Sequence, residues 1–128
     1  MTSDGQKARS YRDLIVWQKA IVLVKGVYEI TARFPAEEKF GLTSQMRRAA
    51  VSVPSNIAEG QARKSTREFV QFLSNAEGSL AELDTQVVLG SELGFVRGTE
   101  ASTTAAQIDE LGRMLNSLRR KLTVARAQ

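Results

Sequence analysis

The stretch SVPSNIAEGQARKS, residues 52–65, decides how this chain is read. It places a proline, an asparagine and a glutamate where the surrounding pattern is helical. Upstream and through it, Met46, Ala49, Ala50, Val53 and Ile57 recur at three- and four-residue spacing, the mark of one helix face. Pro54 removes the backbone bond to Ala50 and predicts a kink, not an end. A second stripe runs beside the apolar one. Gln45, Arg48, Ser52, Asn56, Glu59 and Arg63 follow at 3-4-4-3-4 spacing and so share a face. Asn56 offers donors and acceptors to a neighbouring helix, and Glu59 reaches Arg63 one turn on. The segment therefore reads as a continuous helix from about residue 43 to Gly60, with Pro54, Asn56 and Glu59 in structural roles.

Working outward, three more helices emerge and no strand. The first spans about residues 13–33 and carries two apolar seams. Leu14, Trp17, Ile21, Val24, Tyr28 and Thr31 form one. Val16, Ala20, Leu23, Val27, Ile30 and Phe34 form the other. A helix with two apolar stripes usually buries two faces. We expect one seam to face the core and Val16, Ala20, Leu23, Val27 and Ile30 to line a subunit interface. Phe34-Pro35 closes this helix, and Thr43 is the expected cap of the next. Ser65 and Glu68 make a capping box that opens the third helix, whose seam runs Phe69, Leu73, Ala76, Leu80, Leu83, Val87, Gly90. Thr99 is the expected cap of the fourth, with Ile108, Leu111, Leu115, Leu118 and Leu122 inward. Short connections between such helices predict an all-α, up-down-up-down antiparallel four-helix bundle over residues 11–128. Residues 1–10 are polar and read as a disordered arm.

Composition removes most enzyme classes. The 128 residues contain no cysteine and no histidine, which excludes thiolate metal sites, Cys-His and Ser-His-Asp nucleophiles and zinc hydrolases. Carboxylate chemistry with Mg²⁺ stays open to the acids of the third helix, of which Glu77 and Asp84, seven residues apart, could share a face, but acids on an exposed helix are far more often solvent-facing. We expect no enzyme and no cofactor. The absence of an apolar leader or a membrane-length apolar run leads to an expectation of a cytoplasmic protein without a membrane partner.

Charge is segregated along the chain, whose net formal charge is +4. Residues 39–67 hold six bases and one acid, residues 68–96 five acids and no base, and residues 111–128 five bases and no acid. Solvated helix faces account for this pattern, and so does a surface for phosphates. In the second reading, Arg63, Lys64 and Arg67 flank the start of the third helix, where backbone N–H groups favour an anion. Arg47, Arg48, Arg119, Arg120 and Lys121 extend the patch. Few aromatics accompany these bases, so such binding would be backbone-dominated and salt-sensitive.

Three stretches carry a resemblance: DLIVWQKA (residues 13–20), FPAEEKFGLTSQMRRAAVSVPSNIAEG (34–60) and FLSNAEGSLAEL (72–83). In them the sequence resembles the four-helix-bundle proteins encoded in intervening sequences of bacterial 23S rRNA genes, also called S23 ribosomal proteins. The likeness covers about residues 11–96, and its most specific part is NIAEG after QMRRAAVSVPS. Ala62 departs from it, since that family often has glycine before the arginine. The resemblance implies a bundle assembled as a homopentamer. It extends to the accessory protein of diversity-generating retroelements, a basic pentamer that binds nucleic acid and works with a reverse transcriptase. The expected function is a non-enzymatic, oligomeric, RNA-associated or nucleic-acid-binding protein. The alternative is a structural or protein-interaction scaffold.

Overall fold

The structure, a computed structural model, describes residues 10–127, so the expected disordered arm lies outside the described residues except for Ser10. Four helices make the fold: α1 (Ile15–Thr31), α2 (Leu42–Gln61), α3 (Thr66–Glu92) and α4 (Gly98–Ala127). Among the described residues there is no strand. Single 3-10 turns at Tyr11–Asp13 and Ala36–Glu38 precede α1 and α2. α1 packs on α2 and α4, and α3 on the other side of the same two. The result is an antiparallel four-helix bundle in which each helix touches two neighbours.

Local chemistry sets the helix ends. Ser10 caps the first turn by accepting from the Arg12 N–H. The Ser65 hydroxyl accepts from the Glu68 N–H at 3.1 Å and donates to the Glu68 carboxylate at 3.0 Å, so the expected pair opens α3. α3 closes on Gly94 at φ +81, where Phe95 N–H and Gly94 N–H return to the carbonyls of Gly90 and Ser91. That is the left-handed turn for which glycine is favoured. Two expected caps fall elsewhere. α2 begins after Gly41, with the Glu38 carboxylate accepting from the Leu42 N–H at 3.0 Å, and Thr43 is buried inside the helix. α4 starts at Gly98, which puts Thr99 within its first turn.

α2 runs unbroken through Pro54, which is buried. Asn56 helps hold this region, donating to the Ser52 carbonyl at 2.8 Å and to the Ser52 hydroxyl at 2.9 Å. The Ser52 hydroxyl in turn meets that of Ser79 at 2.8 Å, tying α2 to α3.

The expected subunit interface is corrected by the packing. Val16, Ala20, Leu23, Val27 and Ile30 are buried within the single chain, in one core with Met46, Val53, Ile57, Leu73, Leu83 and Leu115. The other seam packs at its edge: Leu14, Trp17 and Val24 are partly buried, and Tyr28 is exposed. Both seams are apolar, but α1 has neighbours only toward α2 and α4, and the stripe between those two must point to the centre. Leu23 is fully enclosed, so Leu23→Ala is expected to cost about 2–5 kcal/mol in urea denaturation. Leu23→Glu is expected to abolish folding, which circular dichroism would register as a loss of helix content instead of dissociation.

Candidate nucleic-acid interface

The loop between α2 and α3 is built by a close helix approach. A Cβ on Gly60 would sit 2.6 Å from Phe72 Cβ and 3.0 Å from Phe69 Cδ1, so α2 can end against α3 only with glycine there. The chain then turns through Ala62, which is right-handed helical at φ −76. No left-handed residue is needed, and alanine stands there without strain.

Residues 62–68 are all exposed. Arg63 is the anchored member. Its guanidinium pairs with Glu59 at 3.0 Å and lies 5.0 Å from the centre of the Phe72 ring. Lys64 and Arg67 beside it make no ion pair or side-chain hydrogen bond among the described residues. The Glu59–Arg63 pair is exposed on both sides, at 56% and 43%. The expected Glu59–Arg63 pair thus forms, at the surface.

The remaining predicted bases divide. Arg119 is half-buried and turned onto Glu77, which also accepts from Asn116. The hydrogen bond that Arg119 donates to Glu77, and then the charge of that carboxylate, hold the guanidinium above its ordinary pKa, so this cation is permanent but committed. Arg120 and Lys121 stay exposed and unpaired among the described residues. The Arg119–Glu77 pair also fixes the register of α4 on α3, carrying Arg120 and Lys121 toward the end of the bundle where α3 begins. Arg47 and Arg48 do not join them. They lie some fifteen residues from Arg63 on one helix, roughly 22 Å along its axis. Arg47 has a different task, donating to the Thr31 hydroxyl at 2.8 Å and lying 4.4 Å from the Tyr28 ring centre, where it covers the end of α1. Arg48 is exposed at a cleft between α2 and α3. The predicted patch is thus two separate features.

The acids of α3 are the candidates for a metal. Glu77 and Asp84 do line one cleft with Asp109 of α4. Glu77 is taken by Arg119 and Asp109 by Arg113, and no metal-holding cluster of three such groups exists among the described residues. Among those residues, too, no helix is long and apolar enough to cross a membrane. Sequence reading missed Phe72 as the platform under Arg63, and Glu82 and Gln86 at the α2–α3 cleft. Gln86 carried a signal, since it interrupts the apolar positions Leu83, Val87 and Gly90.

Fold and site together define a class: an antiparallel four-helix bundle with unpaired cations at its α2–α3 loop and along the second half of α4. Residues 12–117 match the 23S rRNA-intervening sequence protein family, and the chain belongs to that family. A crystal structure of a protein of unknown function from the S23 ribosomal protein family of Bacteroides thetaiotaomicron shares the fold, with a TM-score of 0.74 at 18% identity. The superposition covers 82% of this chain and 98% of that one. No curated protein matches the sequence.

Neighbouring residues of NIAEG should respond very differently to alanine. Gly60→Ala forces a methyl group into Phe72 and is expected to cost about 1–3 kcal/mol in chemical denaturation. Glu59→Ala removes only an exposed pair and is expected to cost no more than about 0.5 kcal/mol.

Proposed function

We propose that this protein is a non-enzymatic, self-associating bundle that binds RNA through phosphate contacts at the α2–α3 end. The observation that carries the reading is the unequal pairing of charge there. Among the described residues, Lys64 and Arg67 at the loop, and Arg120 and Lys121 farther along on α4, make no ion pair, while Glu59 is paired with Arg63 and Glu77 with Arg119; Glu68 bonds the neutral Ser65 hydroxyl and keeps its charge. Free cations beside internally satisfied acids leave a field that a polyanion would neutralise. Membership in a family tied to 23S rRNA intervening sequences supports RNA as the polyanion. The lack of histidine and cysteine supports a binding role over catalysis.

Self-association is part of the proposal. Leu89 in the last turn of α3 and Leu93 just past its end lie four residues apart and are about half exposed, and Phe40, at 88%, precedes the start of α2 that packs at Gly90. Covering such side chains favours assembly. The family resemblance supports a ring of five, in which each weak phosphate contact would be repeated. By the same resemblance, a reverse transcriptase is the protein partner to test first. The scaffold reading rests on the same apolar corner without the cations.

Binding of structured RNA and duplex DNA near physiological salt tests the proposal. Lys64→Ala with Arg67→Ala is expected to weaken binding by similar factors across sequences. The same change is expected to lower the salt slope by about 1 for each phosphate that is no longer neutralised. Unchanged affinity overturns the assignment of the contacts to the α2–α3 end, and no binding by the native assembly transfers the case to the scaffold. Light scattering is expected to give a five-chain mass, and Leu89→Lys with Leu93→Lys a smaller one.

A further inference from the structure

The polar stripe of α2 is satisfied along only part of its length. Ser52 and Asn56 bond each other and Ser79, and Glu59 takes Arg63. Toward the start of α2 the pattern changes. Gln45 and Arg48 of α2 face Glu82 and Gln86 of α3 across a cleft of about 360 Å³, completed by Ala49 and Ser52. Among the described residues, none of those four side chains makes a hydrogen bond or an ion pair. Gln86 is the telling member. It is only 5% exposed, and its Oε1 is buried without a donor. An amide in that position, within an otherwise apolar seam, is costly to folding, and a leucine there would be cheaper.

The cleft sets the donors of Arg48 opposite the acceptor oxygens of Glu82 and Gln86, with the Gln45 amide beside them. Arg48 presents a planar set of N–H donors from α2. Glu82 and Gln86, one turn apart on the same face of α3, present acceptor oxygens. We propose that this cleft binds a guanine ring, whether of a free nucleotide or of an unpaired base in RNA. Guanine carries the complementary edge: O6 and N7 accept, and N1–H and the N2 amino group beside them donate. Arg48 donates to O6 and N7. Glu82 accepts from N1–H and one N2 hydrogen, and Gln86, its enclosed Oε1 turned toward the cleft, accepts the other. Adenine reverses the pattern, setting its amino group against Arg48 and its N1 acceptor against Glu82. Uracil matches at O4 and N3–H but turns its O2 onto the Gln86 oxygen. Mismatches of this kind leave buried polar groups unpaired, which is what makes edge recognition selective. No aromatic residue lines the cleft, so selectivity here comes from the edge and not from stacking. For RNA as the source of the base, this inference rests on the RNA-binding reading above.

Calorimetric titration with GMP, IMP, AMP and UMP tests it, followed by single-stranded RNAs differing in one central G or A. GMP is expected to bind at least tenfold more tightly than AMP or UMP, with IMP, which lacks the N2 amino group, in between. Arg48→Ala and Glu82→Gln are each expected to weaken GMP binding tenfold or more. Gln86→Leu is expected to reduce the preference for GMP over IMP, leaving the part that Glu82 supplies, while melting no lower than the native protein, which separates a defect in recognition from a defect in folding. Guanine-selective RNA binding that Glu82→Gln removes, with no affinity for free GMP, supports RNA as the source. GMP binding without RNA binding supports the site for free nucleotide and overturns the RNA reading. RNA binding with the expected salt slope but no preference for G overturns this inference and leaves the RNA reading standing. Equal affinity for GMP and AMP, or selectivity that survives Glu82→Gln, also overturns it.

Discussion

Everything else in the bundle hangs on how closely α2 lies against α3. The approach is made possible by small groups: Gly60 against Phe69 and Phe72, Ser52 against Ser79, and buried Ala49, Ala50 and Ala76 between. Helices come this close only when side chains do not hold them apart. The closeness has a second consequence. Polar groups on the facing stripe lose water and must find partners in each other, or in something else. Ser52, Asn56 and Ser79 do so. Gln86 does not, and it lies where the two helices open into a cleft. One packing constraint therefore explains both the rigidity of the NIAEG segment and the unsatisfied amide beside it.

The fold was largely legible because periodicity reports which residues need burial. The seam of α3 from Leu73 to Val87 and that of α4 from Ile108 to Leu115 are buried where the spacing puts them. Periodicity is silent on direction. α1 is apolar nearly all round, and from sequence either seam would serve as core. What decides is which neighbours exist, a fact of tertiary packing and not of the helix itself. The expected caps failed for a related reason. Thr43 is a good capping residue, but Glu38, brought near by the 3-10 turn after Pro35, satisfies the α2 start instead and lets Thr43 be buried.

The candidate site was legible in its charges and illegible in their pairing. A count of bases in residues 39–67 cannot distinguish Arg47, spent on Tyr28 and Thr31, from Lys64, which has no partner among the described residues. Nor can it tell that Glu77, roughly four helical turns before the end of α3, meets Arg119 from the far end of the chain. Such pairs join residues distant in sequence, and only the antiparallel register brings them together. The charge blocks were real, but part of each block cancels internally.

That cancellation is what gives the surface its direction. α3 carries five acids and α4, from Leu111 on, five bases. Were they only two solvated faces, their fields would screen each other along the whole groove. Instead Glu77 and Asp109 are neutralised at short range by Arg119 and Arg113, and the bases left over sit past Arg119 and in the α2–α3 loop. Glu82 is left over too, on the opposite side of α3, where Arg48 faces it across the cleft without closing a pair. Opposite charges that line a shared cleft without pairing leave a donor and an acceptor open to a ligand that carries both. The bundle thus separates two kinds of polar surface, one suited to a repeating phosphate backbone and one to a single, definite edge.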